Sequence, residues 1–185
     1  MTRFFALSFV LALPGAALAE CPEIIQKATY NSGAVVEVVE RKPDSLLYRQ
    51  TVVETGKTVE MTVQAALFTL TALRDGEGAV FDWKTALPGV ADLVPGATFR
   101  AEATLTTPGF LPPRPFTADV EVLGMEDVTV AGCTYPALKV LVKNNEAGRP
   151  LGDNTKWIHL PSLITLKSEI AEKGDVKGQE VIALE

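Results

Sequence analysis

The sequence predicts an all-β domain of mainly antiparallel strands, and three observations support this class. From Tyr30 onward, runs rich in β-branched residues recur about every 8–12 residues, a spacing typical of a sandwich or barrel. Short turn-type clusters with Pro, Asp or Gly, such as 41–45 (RKPDS), separate these runs. In 58–64 (TVEMTVQ), apolar and polar residues alternate, which indicates a sheet with one buried and one solvated face.

These patterns predict about ten strands along the chain. The expected strand regions are 34–40, 46–54, 58–64, 67–73, 79–83, 98–106, 116–126, 135–144, 156–160, 163–171 and 179–185. The segment 74–78 (RDGEG) should form a hairpin connection, because Asp and Gly favour tight turns.

Helical signals are few. The segment 21–30 could form one or two turns with Pro22 at the first helical position, and Pro88 and Pro95 restrict 85–96 to a short turn. The proline-dense 109–116 (GFLPPRPF) is expected to be a stiff crossover between sheet regions, with an extended ligand for another domain as the alternative. No domain linker is visible, so 20–185 should be a single domain.

The first residues are typical of a secretory signal. A short positive start with Arg3 precedes an apolar run over 4–13, and Ala17 and Ala19 supply the small residues of a cleavage site. The apolar run is too short for a transmembrane helix, which needs about 20 residues. We therefore expect 1–19 to be cleaved and the mature protein to be periplasmic and soluble.

Cys21 lies just after this expected cleavage site and has three interpretations. A lipid anchor is disfavoured because Glu20, not a small residue, precedes it. A reactive thiol lacks a Cys-x-x-Cys pair and a nearby cation that would lower its pKa. The chain has 2 cysteines, and exported chains meet an oxidising compartment. These considerations favour an intramolecular disulfide between Cys21 and Cys133.

Charge and composition exclude several kinds of partner. The chain holds 17 Lys and Arg against 23 Asp and Glu, and loss of Arg3 would make it more acidic still. Nucleic acid binding needs a clustered basic face, and binding to anionic lipid needs basic segments, so neither nucleic acid nor stable membrane insertion is expected. An apolar small molecule or another envelope protein remains as a partner, and the oligomeric state stays open.

Two stretches carry a family resemblance. The first is 128–142 (VTVAGCTYPALKVLV) and the second is 154–169 (NTKWIHLPSLITLKSE), supported by "YNSG" and "LVPGAT" earlier in the chain. Together they resemble a family of uncharacterised Gram-negative periplasmic proteins. The resemblance implies a curved antiparallel sheet, a half-barrel similar to that of the outer-membrane lipoprotein carriers, which hold acyl chains in their hollow. A helical lid like that of the carriers is not expected, because the chain has little helix.

Catalytic and metal chemistry find little support in the sequence. The single histidine, His159, could serve a triad with Ser162 and Asp153, but no Gly-x-Ser-x-Gly elbow is present, so we expect a packing role. One histidine and two distant cysteines are too few for a zinc site, and 75–78 lacks the ligand series of a calcium loop. No nucleotide fingerprint exists. We expect no cofactor, no metal and no catalytic residue.

The function predicted at this point is non-catalytic binding of an apolar or acyl ligand in the hollow of the curved sheet. Large aromatic residues are the candidates for lining that hollow, although filling the sheet's own core is the commoner role of such residues. The candidates are Phe68, Phe81, Trp83, Phe99, Tyr135 and Trp157. Two alternatives are an assembly module that adds a partner strand at a sheet edge, through 58–64 or 179–185, and an envelope hydrolase.

Overall fold

The computed structural model describes residues 21–172 and 174–185, so the expected signal segment 1–19 lies outside the described residues. The described chain forms twelve strands and one short 3-10 helix, Val90–Asp92, between β6 and β7. The strands are β1 Lys27–Tyr30, β2 Ala34–Arg41, β3 Ser45–Val52, β4 Lys57–Gln64, β5 Phe68–Arg74, β6 Glu77–Trp83, β7 Thr98–Thr107, β8 Phe110–Val130, β9 Cys133–Glu146, β10 Arg149–His159, β11 Ile164–Glu172 and β12 Asp175–Leu184.

All strand pairs are antiparallel, and each strand pairs with its neighbours in the chain. The ring closes because β1 lies between β12 and β2, with Ala28 opposite both Leu184 and Val36. The structure therefore confirms the predicted all-β antiparallel class with little helix. The sheet differs from an open half-barrel in being a closed barrel, since one extra strand of four residues completes the ring.

Two expected elements need correction. The segment 21–30 forms no helical turn, and its last four residues form β1. A strand this short is too brief to show a clear alternation of apolar and polar residues in the sequence. The proline-dense 109–116 is not a crossover, because its residues from Phe110 onward begin β8. Prolines are tolerated there because they occupy the exposed end of a hairpin, and Pro115 pairs with Thr104 as extended backbone. The hairpin at 74–78 and the short turn within 85–96 are confirmed.

In a barrel of antiparallel neighbouring strands, every second connection lies at the same end. The two ends of this barrel differ in how much of their connections is buried. One end, which we call the closed end, carries the connections 42–44, 65–67, 84–97, 131–132 and 160–163. Segment 84–97 lies against this end, where the Val90 N–H donates to Asp44 Oδ1 at 2.7 Å and Leu93 is buried. Gly89 allows this approach, because a Cβ there would lie 2.8 Å from the same carboxylate.

The turn between β4 and β5 is also buried at the closed end. Ala65 and Ala66 have φ of 51° and 58°, a conformation that non-glycine residues rarely adopt. The Ala65 N–H donates to the Asp44 carbonyl at 2.7 Å, and both alanines are buried. Packing and hydrogen bonds at this end therefore outweigh the strain of the turn. The opposite end carries tight hairpins with exposed residues, among them 53–57 and 147–151.

A disulfide ties the first described residue to the closed end. Cys21 and Cys133 are bonded with a Cα–Cα distance of 5.6 Å and a sequence separation of 112 residues, which confirms the predicted pair. Closing so long a loop stabilises the fold by restricting the unfolded chain. None of the described helices is long and apolar enough to cross a membrane.

Candidate ligand-binding cavity

The inside of the barrel is filled on one side and hollow on the other. We call the filled side, built by β5 to β9, the aromatic half, and the side built by β1 to β4 and β10 to β12 the hollow half. In the aromatic half, Phe81 lies 5.0 Å from Phe116 and 6.1 Å from Trp83 between ring centroids, and Phe68 meets Trp83 edge-on at 5.4 Å. Small residues on β7 and β8 make room for these rings, because Ala103 is cross-strand from both Trp83 and Phe116.

The hollow half contains a cavity of about 240 Å³. Its walls come mainly from β2 to β4 on one side and β10 to β12 on the other, and β4 and β10 lie opposite each other in the ring. This volume is close to the lower limit of about 300 Å³ for small-molecule sites. At about 30 Å³ for each water-sized group, it has room for roughly eight such groups.

The part of the cavity nearest the closed end is apolar, and we call it the floor. It is formed by Leu46, Val63, Ala66, Leu67, Leu163 and Ile164. All six are buried, and they come from the beginnings or ends of strands and from the turns at the closed end. Apolar surface of this kind favours hydrocarbon over water.

Polar side chains lie further from the closed end. Lys156 on β10 is directly opposite Ser168 on β11, and Ser168 is directly opposite Gln179 on β12. All three line the cavity, so they form a continuous polar row across three adjacent strands. The cavity is therefore amphipathic, with an apolar floor and a polar row above it.

Lys156 is unusual among the charges of the chain. It is only partly exposed, and the surface it retains faces the cavity that it lines. Within the described part of the chain, its ammonium has no hydrogen-bond or ion-pair partner. Burial lowers the pKa of Lys156 below its ordinary value, because the surrounding protein solvates the charged form poorly.

Other polar groups face the same space. Asn154 lines the cavity two residues before Lys156 on β10, and its buried Oδ1 has no hydrogen-bond partner among the described residues.

Two tyrosine hydroxyls also line the cavity. On the wall that faces Lys156, the Tyr48 hydroxyl donates a weak hydrogen bond to Met61 Sδ at 3.3 Å, and burial raises the pKa of Tyr48 to about 12. The Tyr30 hydroxyl donates to the Thr165 carbonyl at 2.7 Å, and burial raises its pKa strongly. Both hydroxyls therefore stay protonated at neutral pH, and their oxygens can still accept hydrogen bonds.

Next to the floor, buried polar groups hold the N-terminal segment against the closed end. The Ile25 N–H donates to Ser162 Oγ at 2.8 Å, and Ser162 Oγ lies 2.9 Å from His159 Nδ1. The Arg41 guanidinium donates from Nη2 to the Ile25 carbonyl at 2.8 Å and from Nε to the Ser162 carbonyl at 3.3 Å. We call this group the clamp. Burial first, and then the charge of Arg41, lowers the pKa of His159, so this histidine is neutral at neutral pH.

The clamp brings together two of the three residues weighed for a hydrolytic triad. Ser162 is fully buried and already accepts a bond from the Ile25 backbone, so its oxygen is not presented to a substrate. Asp153 does not complete the group, because it lies six residues before His159 on the same strand and pairs with Lys143 at 3.5 Å. Among the described residues no carboxylate hydrogen-bonds to His159. The contacts of the pair are those of a structural clamp.

None of the six aromatic residues predicted from the sequence lines the cavity. Phe68, Phe81 and Trp83 belong to the aromatic half, where they pack on one another. Phe99 on β7 is partly buried and packs against the hydrophobic core, and it also borders an open surface depression in which Arg100 pairs with Asp119 at 3.0 Å. These positions agree with the commoner, core-filling role of aromatic side chains.

The last two aromatic residues lie near the clamp and on the barrel wall. Tyr135 is buried with its ring 4.9 Å from the His159 ring. Trp157 is covered by two lysines, with Lys139 Nζ at 4.9 Å and Lys167 Nζ at 4.7 Å from its ring. Both lysines are its cross-strand neighbours, so this is cation–π packing between adjacent strands.

The cavity lining is mainly aliphatic and polar, so an expectation based on aromatic side chains did not include it. One signal was available in 163–171, where Ser168 interrupts the apolar alternation of Ile164, Leu166 and Ile170. A polar residue on an otherwise buried face marks either a hydrogen-bond partner or a wet interior. Placing Lys156 and Gln179 beside it needs the strand register, which the sequence does not contain. In the part of the chain that the structure describes, no group of three or more His, Cys, Asp or Glu is placed to hold a metal ion.

The fold and its cavity define the class of this protein as a twelve-stranded antiparallel β-barrel with an amphipathic interior. No protein-family model matches the chain, and no curated protein matches it. Among solved structures it is similar to the hypothetical lipoprotein YmcC from Escherichia coli, with 9% sequence identity and a TM-score of 0.48. That match covers 85% of this chain and 82% of the other. A likeness of this size carries no functional argument.

Proposed function

We propose that this chain is a non-catalytic protein of the periplasm that binds an apolar or acyl ligand in the cavity of the hollow half. The observation that carries the proposal is the combination of a roughly 240 Å³ cavity with an apolar floor inside an otherwise packed barrel. A core that only had to fold would fill such a space, since cavities destabilise proteins. The aromatic half of the same barrel is filled in this way.

Two features support the location. The disulfide between Cys21 and Cys133 is of a kind that persists in oxidising compartments. The segment 1–19 has the pattern of an export signal, and an export route to the periplasm would supply both the oxidant and contact with envelope lipids.

The strand-addition alternative loses its main premise. It needs an edge strand at 58–64 or 179–185, whereas β4 lies between β3 and β5 and β12 lies between β11 and β1. The hydrolase alternative is weakened by the full burial of Ser162. Ligand binding is the function that the geometry of the described residues favours.

A cavity-filling variant tests the proposal. Native mass spectrometry of the purified wild-type protein should detect a bound small molecule. A titration with a fluorescent fatty acid should show that the protein binds this probe. Val63→Phe introduces a ring at the floor and should reduce probe affinity about tenfold or more, since the volume that it removes is part of the site.

Val80→Phe is the matched control. It adds the same ring at an exposed position of β6 outside the cavity and should leave probe binding unchanged. If neither the natural ligand nor the probe binds to the wild-type protein, or if both variants bind the probe equally well, the proposed function is wrong.

A further inference from the structure

The cavity carries an unbalanced charge. Among its lining residues Lys156 is the only ionisable group other than the two tyrosines, and Asp, Glu, Arg and His are all absent from the lining that the structure describes. A lone ammonium in a poorly solvated site is costly unless an opposite charge or several acceptors neutralise it. No described residue pairs with this ammonium or accepts a hydrogen bond from it, so a negative charge on a ligand could neutralise it in the hollow half.

The neighbours of Lys156 add the geometry of a small anion site. Ser168 and Gln179 extend from it in a row across adjacent strands, and their hydroxyl and amide groups can donate to the same anion. Strand pairing holds the three side chains in register on a rigid wall rather than on a loop. The row thus offers one full charge and neutral donors, which suits an anion with a single charge.

The positions of the row and the floor indicate how a ligand would be oriented in the cavity. Ile164 at the floor is paired with His159 on β10. His159 lies three residues after Lys156 on that strand, so the floor and the row are separated by about 10 Å along the strand. A molecule with its anion at the row can therefore lay a hydrocarbon chain toward the closed end. A volume for roughly eight water-sized groups limits how much of that chain the cavity encloses.

We propose that Lys156, with Ser168 and Gln179, is the anion-binding element of this cavity, and that the ligand is a monocarboxylate with an apolar chain of about six to ten carbons. The inference rests on the proposed function and specifies the ligand class. A carboxylate is favoured over a phosphate monoester, because the site supplies one cation and a phosphate carries close to two charges at neutral pH. A charge-assisted hydrogen bond from the ammonium holds the head group, and burial of the chain at the floor adds apolar stabilisation.

The test compares ligands that differ only in charge. Isothermal titration calorimetry with octanoate and with 1-octanol, on the wild-type protein at neutral pH, should show that octanoate binds at least about tenfold more tightly, as expected for a charge-assisted bond. Acetate should bind far more weakly than octanoate because it lacks the chain, and palmitate should bind no better than decanoate because its chain exceeds the cavity.

Variants locate the charge effect. Lys156→Met should reduce octanoate affinity about tenfold or more and leave octanol within about twofold, whereas Lys156→Arg should retain the preference for octanoate. The matched control is Lys139→Met, which removes a lysine from the outer face beside Trp157 and should change neither affinity. Circular dichroism and thermal melting verify that each variant is folded.

The outcomes separate the two proposals. If octanol and octanoate bind equally and Lys156→Met affects neither, the anion-binding role is wrong while ligand binding in the cavity stands. If octyl phosphate binds more tightly than octanoate, or if acetate binds as well as octanoate, the assignment to a chain-bearing carboxylate is overturned. If no amphiphile binds to the wild-type protein at all, both proposals fall.

Discussion

The aromatic half and the hollow half are built from the same strand pattern and have opposite interiors. In the aromatic half, rings such as Phe68 and Phe116 fill the space that Ala101, Ala103 and Ala118 leave. In the hollow half, the inward positions carry Lys156, Asn154 and Gln179 around a space that no described side chain fills. Alternation of apolar and polar residues alone therefore does not decide whether the interior of a barrel is packed or hollow.

A truncation in each half should have very different costs. Phe68→Ala should lower the free energy of unfolding by about 3–5 kcal/mol, because Phe68 is 1% exposed and packs on Trp83. Tyr48→Phe on the cavity wall removes only a hydroxyl that donates to sulfur, and should change stability by less than about 1 kcal/mol. Urea denaturation of both variants measures the difference, and losses of similar size would contradict the division into a filled and a hollow half.

The disulfide should matter mainly at the closed end, where it joins the N-terminal segment to the start of β9. Replacing both cysteines, Cys21→Ser with Cys133→Ser, should cost about 2–4 kcal/mol, because the bond closes a loop with a separation of 112 residues. Hydrogen exchange should accelerate in β1 and in the turn 160–163, where the clamp holds the N-terminal segment, more than in β6 and β7. Faster exchange confined to β6 and β7 would contradict this expectation.

Removing the buried charge should stabilise the protein. Lys156→Met should raise the free energy of unfolding by about 0.5–2 kcal/mol at neutral pH, since a site built for binding often costs stability. Burial lowers the pKa of Lys156 in the folded protein below 10.5. As pH rises toward 10.5 the folded wild type therefore loses this charge before the unfolded chain does, and the advantage of the variant should shrink.

Thermal or urea unfolding of both proteins from pH 7 to pH 10 measures this effect. Lys139→Met serves as the control, because Lys139 pairs with Glu126 at 2.9 Å on the outer face, and it should give no stabilisation. A Lys156→Met variant that is less stable than wild type at neutral pH would show that the ammonium has a stabilising partner.

The smallest expected effect concerns the clamp and pH. His159 has a pKa below 6.5 in the folded protein, so the unfolded chain binds a proton first as pH falls. Stability should decrease as pH falls below about 6.5 and level off once the folded-state pKa is passed. Urea denaturation between pH 7.5 and pH 5 should show a smaller decrease for His159→Gln than for wild type. An equal decrease in both proteins would assign the pH dependence to other groups.

The features that depend on local pattern could be predicted from the sequence. The period of two in 58–64, the Asp-Gly turn in 74–78 and the scarcity of helix were sufficient for the all-β antiparallel class, because strand and turn preferences act over a few residues. The pairing of Cys21 with Cys133 could also be predicted, since a chain with the pattern of an export signal and two cysteines can form one intramolecular bond.

The closure of the ring and the empty interior positions depend on contacts between residues that are distant in the sequence. Four residues of β1 complete the barrel through long-range pairing with β12, a contact with no local signature. The meeting of Lys156, Ser168 and Gln179 depends on the register of three strands, and a shift of one residue would turn each side chain to the other face. The cavity exists because residues distant in sequence do not fill the space between facing walls, and such volume is a property of the packed chain rather than of any segment.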